Sequence, residues 1–183
     1  SDYDQEGRLI SSQEKVTNGS EPDVERTVTI SGITYDDLDR SLGRTETVSR
    51  TSADGRLSET STAIYLEATF DPTTGRQTGY TQTFHSNASP GLLTQVIRSG
   101  QMFDRQNRLL AYHEETNQKG LGLDTTSVLD RTAMTYKGAD QLATYHEEST
   151  GPSGLQTLQW AGTYNGLGQL SKTDETGLGA TGD

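Results

Sequence analysis

Tyr3-Asp4-Gln5-Glu6-Gly7-Arg8-Leu9 decides how this chain is read. The pattern returns as Tyr35-Asp36-Asp37-Leu38-Asp39-Arg40, as Phe70-Asp71 with Gly75-Arg76, and as Phe103-Asp104 with Asn107-Arg108. Looser copies stand at Tyr136-Lys137 with Asp140-Gln141 and at Tyr164-Asn165 with Gly168-Gln169. The copies start about 33 residues apart, and self-similarity at such a period is the signature of a repeat architecture. A few residues after each aromatic comes Gly7, Asp39, Gly75, Asn107, Asp140 or Gly168, residue types that tolerate positive φ. A tight hairpin needs that backbone conformation. Each aromatic and its turn-former are therefore candidate structural turn residues.

Working outward, a strand enters through the aromatic and another leaves through the Arg. The leaving segments align: Leu9-Ile10-Ser11-Ser12-Gln13-Glu14, Leu109-Leu110-Ala111-Tyr112-His113-Glu114 and Leu142-Ala143-Thr144-Tyr145-His146-Glu147. Entering segments such as Thr27-Val28-Thr29-Ile30 and Ala63-Ile64-Tyr65-Leu66 are rich in strand formers. Gly32, Gly100 and Gly162 interrupt them near the aromatic, which suggests a bulge or a close backbone approach. Breaker clusters such as Asn18-Gly19-Ser20-Glu21-Pro22-Asp23 and Ser52-Ala53-Asp54-Gly55 close the far end of each unit. No stretch has a helical apolar period.

The fold expected is all-β, a repetitive antiparallel hairpin meander of about eleven strands in a twisted or coiled sheet. The alternative is a β-solenoid. There, Arg8, Arg40, Arg76 and Arg108 would stack in one column and Glu14, Glu46, Glu114, Glu147 and Glu175 in another. Like charges directly opposed are unfavourable, whereas a meander puts an entering strand between them. Residues 1–183 read as one array of about six units starting at Tyr3, Tyr35, Phe70, Phe103, Tyr136 and Tyr164. The sequence is expected to be a slice of a longer chain.

Only 29% of residues are hydrophobic, which leaves little from which to build a two-layer core. The net charge of −11 argues against nucleic acid or an anionic membrane as partner. With no cysteine there is neither disulfide framework nor thiol chemistry. No apolar stretch is long enough to insert in a membrane.

Tyr-Asp-x-x-Gly-Arg-Leu at residues 3 to 9 resembles the YD repeat of Rhs, teneurin-type and giant bacterial surface proteins. The longer unit, with Tyr-x-Glu leaving, resembles the tandem repeats of very large adhesin-like proteins. The resemblance implies an extracellular or cell-surface β-module of a filament, stalk or shell. Its partners would be neighbouring repeats or copies of itself, meeting by edge strands or end to end. The alternatives are a binding module for glycan, Ca2+ or ice, and a shell segment of an Rhs-type toxin. No enzyme and no cofactor is expected, because no unique acid–base or nucleophile constellation occurs in the sequence.

Several residues invite sharper readings. His113 and His146, with Glu115 and Glu148, have ligand chemistry for zinc or nickel, but duplicated surface positions explain them as well. Asp36, Asp37 and Asp39, and the Leu121-Gly122-Leu123-Asp124 segment, suggest calcium without the spacing of a known calcium loop. Thr27/Thr29, Thr45/Thr47, Thr60/Thr62 and Thr81/Thr83 resemble ice-binding arrays, yet fall at different places in the repeat, so β-propensity is the better account. Tyr80, Tyr112, Tyr145 and Trp160 could stack on glycan rings; cross-strand packing is the plainer role, with Trp160 filling a thin core. Asn18-Gly19-Ser20 and Asn87-Ala88-Ser89 match glycosylation triplets.

Overall fold

Thr, Val, Ile and Tyr alternate with turn residues along the chain, and strands are the result throughout. The computed structural model describes residues 1–18, 21–120, 122–138 and 140–178. Part of the Asn18-Gly19-Ser20 cluster, Leu121 of the calcium-like segment and residues 179–183 fall outside them. The strands are β1 (Asp2–Tyr3), β2 (Leu9–Asn18), β3 (Glu21–Tyr35), β4 (Ser41–Ser52), β5 (Ser58–Phe70), β6 (Gln77–Ser86), β7 (Leu93–Phe103), β8 (Leu109–Gly120), β9 (Leu123–Lys137), β10 (Gln141–Gly151), β11 (Gly154–Tyr164) and β12 (Leu170–Leu178). They form a 12-stranded sheet in strict sequence order, each strand hydrogen-bonded to its neighbours in the chain. Every pairing with a described register is antiparallel. The protein is thus a meander of hairpins, and the solenoid alternative falls away. The strand beyond the expected count is β1, whose Asp2 and Tyr3 pair with Ser11 and Leu9.

Two compact units divide the chain. The first comprises Ser1–Phe70, Tyr80–Gln95 and Gln118–Asp124; the second comprises Asp71–Gly79, Val96–Asn117 and Thr125–Asp183. In the first, β3, β4 and β5 run in register as Thr29↔Thr47↔Thr62, Thr27↔Ser49↔Thr60 and Ser31↔Thr45. Alternation puts these on one face and Val28, Val48, Arg44, Glu46 and Tyr65 on the other. The Thr pairs that look scattered in sequence therefore align. Entering and leaving strands run in opposite directions, so equal offsets in the repeat are not what brings residues together.

The same geometry separates the repeated Glu residues, although Arg26 lies directly opposite Arg50. Glu14 lies opposite Val28, and Glu46 lies between Ile30 and Ala63. In the second unit Glu147 lies opposite Arg131. Burial is sparse: among the described residues Tyr112 at 9% and Met134 at 8% exposure are the buried hydrophobics, and no large side chain is fully enclosed. Trp160 therefore does not fill a core. It is half-buried, stacks on Tyr145 and lies across the α-carbon of Gly162. Gly162 marks a close approach to a ring rather than a bulge.

Left-handed residues occur three residues before four of the aromatics, and at two of them a bulge is seen. Gly32 and Gly100 have φ of 61°, Glu67 has 56° and Ala133 has 51°. The register shifts between Ser31 and Thr34 on β3, and opposite Ala133 on β10. The local twist of the entering strand demands a left-handed residue at this point, whatever its type. A methyl group on Gly100 would meet nothing within 4 Å. Gly100→Ala is accordingly expected to cost about 1–2 kcal/mol through the backbone alone. Ala133→Gly should recover about 1 kcal/mol at the equivalent site. Urea midpoints of the two variants check both signs.

Candidate functional site

Each aromatic–Asp turn is a side-chain clasp. In the second repeat, Asp36 follows the end of β3, and its Oδ1 accepts the amides of Leu38 and Arg40, both at 2.9 Å. Its Oδ2 accepts Arg40 Nε at 2.7 Å. The backbone closes the loop, Asp36 N–H donating to Arg40 O at 3.0 Å and Asp39 N–H to Asp36 O at 3.1 Å. Asp4 with Arg8, and Asp104 with Arg108, repeat this arrangement. The short carboxylate reaches its own backbone two and four residues on, as an Asx turn requires. Gly7, Asp39, Gly75, Asn107 and Gly168 sit at φ of 82°, 60°, 71°, 67° and 78°.

The clasp fixes the guanidinium, and the guanidinium then reaches the following repeat. In the first unit Arg8 lies 5.0 Å from the Tyr35 ring centre and Arg40 lies 4.4 Å from that of Phe70. In the second unit Arg76 faces Phe103 at 5.8 Å and Arg108 faces Tyr136 at 4.8 Å. Nη1 of Arg8 donates to Asp39 Oδ1, that of Arg76 to Asp104 O and that of Arg108 to Gly138 O. Where the aromatic is Tyr, its hydroxyl reaches back: Tyr35 to Leu9 O, Tyr136 to Leu109 O and Tyr164 to Leu142 O. Cation, ring and hydroxyl thus stitch adjacent hairpins at one edge of the sheet.

The departures are as informative. The inserted residue in the third repeat turns Asp71 toward the amides of Thr73 and Thr74 and the Thr74 hydroxyl. In the sixth, Asn165 Oδ1 accepts the amides of Leu167 and Gln169, and its Nδ2 donates to Gln169 Oε1. An amide pair there copies the geometry of the Asp–Arg pair without charge. In the fifth, Lys137 stands where the other repeats place Asp or Asn, and pairing continues to Lys137↔Gln141. Positive φ falls on Gly138, at 66°, while Asp140 lies in the turn just before β10. Without the carboxylate the loop is shorter.

These bonds lower carboxyl pKa values. The Arg40 side chain, then its amide, holds Asp36 below the ordinary carboxylate value against partial desolvation. At Asp104 the Arg108 amide leads, and at Asp71 the Thr74 amide. At Asp4 desolvation pulls upward, but the Arg8 amide and guanidinium together outweigh it. Asp54, at the opposite edge, is lowered by the Ser52 hydroxyl.

A second array crosses the middle of the strands. In the second unit Arg98 lies 4.3 Å from the Tyr112 ring centre and pairs with Glu114. Arg131 lies 5.7 Å from Tyr112 and 4.3 Å from Tyr145, and pairs with Glu147. Tyr145 stacks on Trp160 at 5.2 Å and 16°. In the first unit Arg44 faces Tyr65 at 4.2 Å, and Tyr65 meets Tyr80 at 6.3 Å. Rings considered for glycan stacking are thus engaged by Arg or by one another.

The remaining candidates separate. His113 Nδ1 contacts Asp130 Oδ1 at 2.8 Å, whereas His146 is held by Gln159 and Glu148. Among the described residues no group of three or more His, Cys, Asp and Glu is placed to hold a metal ion. Asp37 and Asp39 are exposed, and Asp36 is committed to its turn. Asn87 bridges to β5, its Oδ1 accepting Thr60 N–H and its Nδ2 donating to Ser58 O. The Arg-over-ring contacts were missed by sequence reasoning. Their signal is the recurrence of an Arg 27 to 30 residues before the next aromatic. No family model, curated protein or solved structure matches the chain.

Proposed function

We propose that the chain is a structural β-repeat module of an extracellular or cell-surface filament or adhesin-like protein. The observation that carries this reading is the clasp, which in the first four repeats spends charged and aromatic residues on holding the next repeat. The resemblance to YD repeats points the same way. Among the described residues, a recess of about 210 Å³ beside Asp71, Arg76 and Phe103 is open to solvent. On this reading the partners are neighbouring repeats and further copies meeting edge to edge. Electron microscopy of the protein at native length, with protease shaving of intact cells, tests it. A filament or rod that disappears from shaved cells is expected. A compact particle recovered from the cytosol would overturn the proposal, and a hollow closed particle would favour a toxin shell instead.

A further inference from the structure

We propose that the hydroxyl face of β3, β4 and β5 binds lattice-ordered water, the surface of an ice crystal. This goes beyond the module reading and stands apart from it. Thr29, Thr47 and Thr62 form one row across three strands, and Thr27, Ser49 and Thr60 form the next. All six are half-buried, so their hydroxyls and methyls present a shared surface rather than mobile tips. Neighbouring hydroxyls are already at 3.4 Å between Thr47 and Thr62 and 3.3 Å between Ser49 and Thr60. Strand geometry repeats such groups at about 4.8 Å across the sheet and about 6.8 Å along it. Oxygen repeats in the surface planes of ice are of this scale, so many weak water contacts can be made in one register.

Charge supports that occupant. In a chain of net charge −11, Arg44, Glu46, Arg50 and Glu59 of these strands lie on the opposite face, while Glu25 of β3 shares the hydroxyl face beyond Thr27. At the margin of the hydroxyl face, Lys15 and Glu25 pair with each other at 2.9 Å. The six residues of the two rows are themselves neutral, and the Lys15–Glu25 pair beside Thr27 cancels its own charge, so the rows do not compete for a charged partner. Polysaccharide is the rival occupant of a hydroxyl surface. Sugars are commonly gripped by aromatic rings, and Tyr65 lies on the other face, opposite Arg44.

The test grows ice slowly through a solution of the fluorescently labelled full chain and measures uptake and thermal hysteresis. Wild type is expected to enter the ice. Thr47→Lys should be excluded and lose hysteresis, while Ser61→Lys, on the opposite face of the same sheet, should behave as wild type. Thr62→Val keeps the methyl and the strand preference but removes a hydroxyl, so reduced uptake is expected even if Thr47→Lys does not fold. Exclusion of wild type, or equal uptake of the hydroxyl-face variants, overturns the proposal. So does retention on insoluble cellulose or chitin without uptake into ice.

Discussion

Tyr112→Ala is expected to destabilise the protein by about 3 kcal/mol, the largest effect of any single side chain. Tyr112 is one of the two buried hydrophobics among the described residues, and its ring is what Arg98 and Arg131 both face. Removing it opens a void in a sheet that has almost no other enclosed apolar surface. It also strips a partner from two guanidinium groups whose carboxylates, Glu114 and Glu147, remain. For a chain of this size the loss corresponds to a fall in Tm of roughly 10 °C. Tyr112→Phe retains the ring and both cation contacts, so it should stay within about 1 kcal/mol of wild type. Thermal and urea melts of the two variants separate ring from hydroxyl. Equal stability of Tyr112→Ala and wild type would mean that this array contributes nothing to folding.

Asp104→Ala should lower Tm measurably, since hydrogen bonds to a charged group contribute more than neutral ones. The substitution removes the acceptor of the Gln106 and Arg108 amides, at 2.8 and 2.9 Å, and of Arg108 Nε at 2.7 Å. Arg108, released, no longer stands fixed over Tyr136. Asp104→Asn should recover most of the loss, because Asn165 already makes the two amide bonds with a neutral side chain. Acidification supplies a second readout. The folded carboxyls of Asp36 and Asp104 lie below their ordinary value, so their stabilisation is complete above the unfolded pKa. It is lost as pH falls from about 4 through the lower folded value. Hydrogen exchange should therefore show the Asp36 and Asp104 turns loosening in acid while the Asn165 turn holds. Simultaneous loosening of all three would remove the carboxylates from the account.

The strands and their antiparallel order were legible because Tyr-Asp-x-x-Gly-Arg writes a local turn, and local geometry is what residue type encodes best. Glu46 flanked by Ile30 and Ala63 is the separation that charge repulsion demanded. What lay beyond reach was set by register. The Thr27/Thr29 and Thr45/Thr47 pairs seemed out of step because the repeat was compared along the chain, whereas contact follows the antiparallel ladder. Positive φ was legible at Gly32 and Gly100, where glycine advertises it, and invisible at Glu67 and Ala133, where the strand imposes it on unsuited residues. Trp160 was misplaced for a related reason. A large apolar ring suggests a core, but with no second layer it finds its neighbour in Tyr145 and in the bare backbone of Gly162.

The Arg-over-ring contact has a direction. Arg8 reaches forward to Tyr35 and Arg40 to Phe70, never the reverse. The first four repeats consequently each offer a plug in their Arg, and the aromatic of the next repeat is its socket. Excising a whole unit, or duplicating one, leaves plug facing socket at the new junction; cutting within a unit does not. A gene encoding such interchangeable parts can lengthen or shorten its product by unequal recombination without inventing a new contact.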